Sequence, residues 1–318
     1  MPPFGLNNDS GPNLILVKTA LDKLVADEMK KMATVGKALA TDPIIFSQDT
    51  ADKAAVVASV EGGGGYFQKT TQDIAPSKDA NISAAPPKTV LIANFKQNLP
   101  ISRTFMDDQQ QSAVQKAVTQ RYRAWLASQQ RNAFYVYANG FTGSTSNSTT
   151  IDNVPLFSNS HLNENGDTVD NYETGVMSDA NLNTLVVSLR GQVDQGGTKV
   201  GFEPDFLLAS SLGDHDARIV AKSVLRAGTG NNDLNYYSEM YPGMQVKFNQ
   251  FLDDVSTTAY FIGTAGHDVY RYEREAFFTR LVNWETDDED LYKYKMRARE
   301  EADALSYVGV AGSDGTVS

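Results

Sequence analysis

The chain has 318 residues, 41% of them hydrophobic, with 28 Lys+Arg against 39 Asp+Glu and a formal net charge of −11; this size allows two modest domains or one with long extensions, and this apolar content excludes wholesale disorder. With no cysteine and only three histidines (His161, His215, His267), it lacks disulfides, thiolate chemistry and cysteine-held metals, and has little for a His-rich metal site. The acidic balance disfavours a dedicated nucleic-acid grip, no apolar run approaches the roughly 18–20 residues of a membrane span, and Met1-Pro2-Pro3-Phe4-Gly5 lacks a basic signal-peptide start.

A soluble protein is therefore expected, with no export signal, no membrane partner and no cofactor. Residues 1–12, rich in Pro, Gly and Asn, read as an extended arm. Leu14, Val17, Leu21, Leu24, Val25, Met29, Met32 and Leu39 then recur mostly at three and four spacing, an amphipathic helix that closes before Pro43. Gly62–Gly65 is a hinge or loop. It is a poor phosphate cradle, because Gln68 stands where a glycine should precede Lys69-Thr70. Two extended stretches, 66–74 and 88–96, flank a breaker-rich tip with Pro76, Pro86 and Pro87, and read as one long hairpin. Its apolar surface is confined to Val90 and Ile92 on one face and Leu91 and Phe95 on the other. A two-stranded ribbon of that kind is marginal alone, so a second copy of the chain is the natural support.

Thr104 can cap the longest helix, which carries Val114, Val118, Tyr122, Trp125 and Leu126 along one face and stops at Asn139-Gly140. Running to Tyr137 it would be roughly 50 Å long, a spine for a whole domain. Ser178 caps a helix with Leu182, Leu185, Val186 and Leu189, closed by Gly191; Pro204–Ala209 reads as a short buried strand. Asp214 or Asp216 starts a helix through Ile219, Val220, Val224 and Leu225, ending at Gly228, and 258–262 is strand-like, so this middle region is mixed α/β. Phe278, Arg280, Val282 and Trp284 form a strand, Glu285–Asp290 an acidic turn, and from Leu291 the pattern has period two. Lys293, Lys295, Arg297 and Arg299 line one face; Tyr292, Tyr294, Met296 and Ala298 line the other and can lie on the spine helix. Four aligned cations call for solvent or for acidic surface on a neighbouring subunit.

Candidate chemistry is sparse. Gly213-Asp214-His215-Asp216 is the most enzyme-like string, yet Asp is a preferred cap and adjacent helical side chains do not converge. Placing Gly166 sixth in a calcium loop puts His161 first and Tyr172 twelfth, where carboxylates are required. No Gly-x-Ser-x-Gly elbow is present. A non-enzyme is expected; a hydrolase using His215 with Asp214 or Asp216 is the alternative from another class.

The order of elements resembles that of tailed-bacteriophage major capsid proteins of the Hong Kong 97 fold. Val154-Pro155-Leu156-Phe157-Ser158-Asn159-Ser160-His161 is similar to a segment of Mu-like prophage major head proteins. Ser178–Leu189, Pro204–Ala209, Asp216–Leu225 and Asn231–Asn235 follow in the same order, and the end from Arg297-Ala298-Arg299 to Ala311-Gly312-Ser313 is also similar. The resemblance implies an α+β chain with an N-terminal arm and helix (1–45), an extended β-hairpin loop (46–103), a peripheral domain with the spine helix (104–140 and 273–304) and a mixed α/β axial domain (141–272 and 305–318). It implies hexamers and pentamers closing into an icosahedral virion shell around double-stranded DNA, without sequence-specific binding. Separate scaffold and portal proteins and a decoration protein are the implied partners; an encapsulin-type compartment is the alternative shell. The residues expected at inter-subunit contacts are Lys78, Asp79, Lys88, Val90, Ile92 and Phe95 in the loop and Lys293, Lys295, Arg297 and Arg299 in the returning hairpin. A Lys78–Asn81 cross-link between subunits is conceivable by the same resemblance.

Overall fold

A computed structural model describes residues 12–34, 44–50, 54–57, 60–61, 83–84, 87–102, 111–163, 166–194, 196–225, 233–282 and 291–316. In chain order the elements are α1 (Pro12–Thr34), β1 (Phe46–Asp49), β2 (Ala54–Val57), β3 (Val60–Glu61), β4 (Ser83–Ala84), β5 (Lys88–Leu91), β6 (Ala93–Ser102) and α2 (Gln111–Ala138). There follow β7 (His161–Leu162), β8 (Thr168–Val169), β9 (Tyr172–Glu173), α3 (Asp179–Gly191), β10 (Phe206–Ser210), α4 (Asp214–Lys222) and α5 (Tyr236–Met240). The last strands are β11 (Gln245–Asn249), β12 (Tyr260–Gly263), β13 (Val269–Val282), β14 (Leu291–Ala304) and β15 (Val310–Ser313).

The period-two pattern near the end of the chain folds as read. β13 and β14 are an antiparallel pair of 14-residue strands, extended to four by β1, parallel to β13, and β6, antiparallel to β14. Tyr294 and Met296 are buried and Tyr292 packs beside them, against Val114, Val118 and Tyr122 of α2 and Leu21 and Val25 of α1. Burying a side chain of that size stabilises by about 1.5–3 kcal/mol. Trp125 stacks on Phe277 at 5.6 Å and takes Phe95 edge-on at 5.3 Å. Asp22 of α1 accepts from Thr279 at 2.6 Å and Tyr294 at 2.9 Å, fixing that helix on the same face of the sheet.

The second sheet has the order β11-β10-β12-β15-β9. Its three central strands are buried along their whole length, which is why they read as apolar runs and not as alternations. Leu207, Ile262 and Ala311 face one core with Leu182, Leu185, Val186 and Leu189 of α3 and Ala217 and Val220 of α4. Phe206, Leu208, Phe261 and Val310 face another, filled by Phe157 and by Phe134 and Tyr137 from the last turns of α2. Ser178 caps α3 through the Asn181 amide at 3.2 Å, as its sequence requires.

Several expectations are corrected. The 88–96 stretch falls on two strands rather than one, and its expected partner, 66–74, lies outside the described residues. Its first part, β5, pairs with β2, and β6 joins β14 over ten residues, because the long hairpin edge offers a continuous ladder. The helix from Asp214 ends at Lys222, where Ser223 turns extended, and so excludes Val224 and Leu225. Gly213, not an aspartate, holds its N-cap position, and Asp214 instead pairs with Arg218 one turn on at 2.9 Å. Thr104, the expected spine cap, lies outside the described residues; α2 as described has 28 residues, about 42 Å.

Gly312 marks a close approach in the second core. A Cβ there would lie 2.9 Å from the rings of both Phe157 and Phe261. Gly312→Ala is expected to destabilise the subunit by about 1–3 kcal/mol through overpacking. The loss should be less than additive when combined with Phe157→Leu. A double-mutant cycle from urea denaturation checks both.

Candidate assembly surfaces

Cross-strand register decides what stands on the outer face of the first sheet. Arg280 lies opposite Lys295, which lies opposite Asn98; Phe278, Arg297 and Lys96 form the next row; Glu275, Arg299 and Asn94 the next; Val282, Lys293 and Pro100 complete the face. Directly opposed residues share a face. Six cations therefore gather there: Lys96, Arg280, Lys293, Lys295, Arg297 and Arg299. Glu275 is the carboxylate among these rows and pairs with Arg297 at 2.9 Å. Lys96, Asn98, Phe278, Arg280 and Lys295 are exposed, since α1 and α2 occupy the opposite side. The basic row read from the sequence is thus one strand of a wider basic surface. Lys96 and Arg280 were missed because their alignment with it depends on which strands pair.

The loop residues are placed differently. Lys88 forms an ion pair with Asp303 and donates also to the Ala304 carbonyl at 2.9 Å and to that of Thr149. Val90 and Ile92 are buried against Tyr272, and Phe95 sits on Trp125. These four, expected to await a second copy, have partners in their own chain, because β5 and β6 lie along the body of the fold. Lys78, Asp79 and Asn81 lie outside the described residues.

Beside Lys88, the strand β14 carries three carboxylates within four residues, all buried. Glu300 accepts from Gln129 of α2 at 2.8 Å and from Arg271 at 2.6 Å, and Glu301 from Asn147 at 2.7 Å. Burial raises Glu300, with the Arg271 charge opposing. Burial also pushes Glu301 up to about 7, with the Glu300 charge adding and hydrogen bonds from Asn132, Asn147 and the Ala302 amide opposing. Burial raises Asp303 to about 7 against the pull of Lys88.

The candidate catalytic strings do not converge. His215 is exposed, its Nδ1 3.1 Å from Asp216, while Asp214 is turned to Arg218. His161 is fully buried: Nδ1 lies 2.8 Å from Asp152, Nε2 3.3 Å from the Leu156 carbonyl, and its ring stacks on Tyr307. Burial alone would raise Asp152, but hydrogen bonds from His161 and Thr150 outweigh it and the net shift is downward. This is a packed structural pair. Asn163 and Asp167 close the β7–β8 turn, the Asp167 amide donating to the Asn163 side chain at 2.8 Å, with Gly166 at φ +80°. Among the described residues no group of three or more His, Asp and Glu is placed to hold a metal.

A surface that sequence reasoning missed lies beyond α4. Val224 is 72% exposed, Leu225 45% and Leu234 67%, and Leu225 and Leu234 form a β-bridge. Reading Val224 and Leu225 as helical hid them on a buried face. The Gly228-Thr229-Gly230 run shortly after was the available signal that the helix had already ended.

No protein-family model matches the sequence, and no curated protein matches it. Solved structures do. A structure from Mycobacterium phage Adephagia is 14% identical with a TM-score of 0.52, over 86% of this chain and 89% of that one. The capsid of a native GTA particle is 11% identical with a TM-score of 0.52, over the same 86% and 89%. A virus-like particle from Pyrococcus furiosus is 8% identical with a TM-score of 0.55, over 93% of this chain and 98% of that one. At these identities the likeness is one of fold: the chain has a mixed α+β, phage-capsid-like fold.

The buried acids give a pH dependence with a definite sign. Glu301 holds its proton more tightly folded than unfolded, so its contribution to stability is full below about 4.5 and lost as pH rises through about 7. Glu301→Gln should flatten the fall in unfolding free energy between pH 5 and 7.5 relative to wild type, by up to about one proton's worth of slope. Urea titrations across that range measure it.

Proposed function

We propose that this chain is the major capsid (head) protein of a tailed bacteriophage, of the Hong Kong 97 type and similar to Mu-like major head proteins. The observation that carries this is the likeness of fold to a Mycobacterium phage structure and to the capsid of a GTA particle, each over 86% of this chain and 89% of that one. Subunits assemble as hexamers and pentamers into an icosahedral shell around double-stranded DNA, with scaffold, portal and decoration proteins as partners, and reside in the virion after synthesis in the host cytoplasm. The parts are the arm (1–45), extended loop (46–103), peripheral domain (104–140 and 273–304) and axial domain (141–272 and 305–318).

The mechanism is burial of surface that one subunit leaves uncovered, repeated symmetrically. Val224, Leu225 and Leu234 supply exposed apolar surface beyond α4. Lys293, Lys295, Arg297 and Arg299 supply charge on the first sheet, and Lys78 and Asp79, expected in the extended loop, are further contacts in this reading. No chemistry is required, in keeping with an exposed His215 and a His161 locked in packing.

Electron microscopy and sedimentation of the purified protein, alone and with its scaffold, should show shells or capsomers; a monomer under every assembly condition overturns the reading. The likeness to a virus-like particle supports a second shell reading, an encapsulin-type compartment. Particle contents separate the two: DNA for a head, a cargo protein for a compartment. Leu225→Asp with Leu234→Asp should leave a soluble subunit, with a melting temperature changed by no more than about 2 °C since both residues are exposed. Particle formation should fall steeply, as seen by sedimentation.

A further inference from the structure

We propose that the basic outer face of the first sheet is a docking surface for the acidic turn, residues 285–290, of a second copy of this chain. The inference rests on the shell reading and names one of its contacts. The turn is Glu285-Thr286-Asp287-Asp288-Glu289-Asp290, five carboxylates and no cation. The face presents Lys96, Arg280, Lys295, Arg297 and Arg299, with Lys293, which has an interaction of its own, beside them; among the described residues Glu275 pairs with Arg297. In a chain of net charge −11, such segregation of sign onto one hairpin calls for a partner.

The length of the joining segment limits how much of its own face its backbone can reach. β13 ends at Val282 and β14 begins at Leu291, so eight residues join them. Folded back, the midpoint of that segment reaches about 14 Å at full extension. Lys293 and Lys295, with Arg280 opposite Lys295, lie within about 13 Å along the strand. Arg297, with Lys96 opposite it, lies about 20 Å along, and Arg299 about 26 Å. Arg297 is already engaged by Glu275. Beyond the backbone reach of that segment, Lys96 is exposed on the edge strand β6, open to carboxylates of another molecule.

A turn from one copy on the face of the next is a heterologous contact. Every copy both gives a turn and receives one, and the pattern closes around a rotation axis. Phe278, 40% exposed among the cations, supplies an apolar surface beneath the docked segment.

The test is a charge swap in the full chain. Lys96→Glu/Lys295→Glu alters exposed positions only, and Asp287→Lys/Asp288→Lys reverses the turn. Each should lower particle yield at least about tenfold near 0.1 M salt, and the chain carrying both should recover to within about threefold. Independently of assembly, a labelled peptide of residues 283–291 should bind the wild-type chain, lose binding on raising salt from about 0.05 to 0.5 M, and bind the face variant at least about tenfold more weakly. Wild-type yields from both single swaps, with no peptide binding, overturn the contact and leave the shell reading standing. A wild-type chain that never forms particles defeats the shell reading, and the peptide then decides the contact alone. Swaps that shift only the melting temperature return the face to the chain's own turn. A face variant that assembles normally but loses duplex DNA assigns the face to nucleic acid. Either result also overturns the contact.

Discussion

One helix belongs to two cores, and the rest of the molecule depends on it. Val114, Val118 and Tyr122 of Gln111–Ala138 fill the space under the first sheet, and Ala133, Phe134, Val136 and Tyr137 fill the space under the second. β14 repeats the arrangement alongside: Tyr294 and Met296 enter the first core, Ala302 and Ala304 the second. The two sheets are thereby tied through a rigid helix and a continuous strand, not through a linker. With the helix on one face of the first sheet, the other face is left to be charged and open.

Between the two cores the interior is polar, and each polar group joins elements far apart in sequence. Arg271 bridges Glu300 and Glu273 and reaches Ser47 of β1 at 3.0 Å. Lys88 pins the root of the extended loop to Asp303 and to the 149 turn. Buried pairs of this kind add little net stability against an apolar alternative, but losing one partner strands a charge. Their effect is to fix where the loop leaves the body. Basic surface outside and titrating carboxylates inside are both carried by β14, one on its outer rows and the other near its end.

How much was legible before folding follows the range of the interactions. The capped helix from Ser178, the buried strand at 206–210 and the alternation from Leu291 were readable because caps, apolar runs and period two act within a few residues. The pairing of β6 with β14 was not legible because strand pairing is settled by which long edge is available, and the edge of β14 lies some two hundred residues away. Val224 and Leu225 were misread because a plausible helical spacing outran the real helix end at Lys222.

For the site the division is the same. By itself the sequence determined that Lys293, Lys295, Arg297 and Arg299 share one face and that Tyr292, Tyr294 and Met296 share the other, since a strand's side chains alternate whatever the strand pairs with. Only the tertiary structure decided that Lys96 and Arg280 join those cations, that Lys88, Val90 and Ile92 are held within their own chain, and that Glu300, Glu301 and Asp303 are buried. The physical reason is that a face is set by local backbone geometry, whereas neighbours across strands and the water around a carboxylate are set by how distant segments pack.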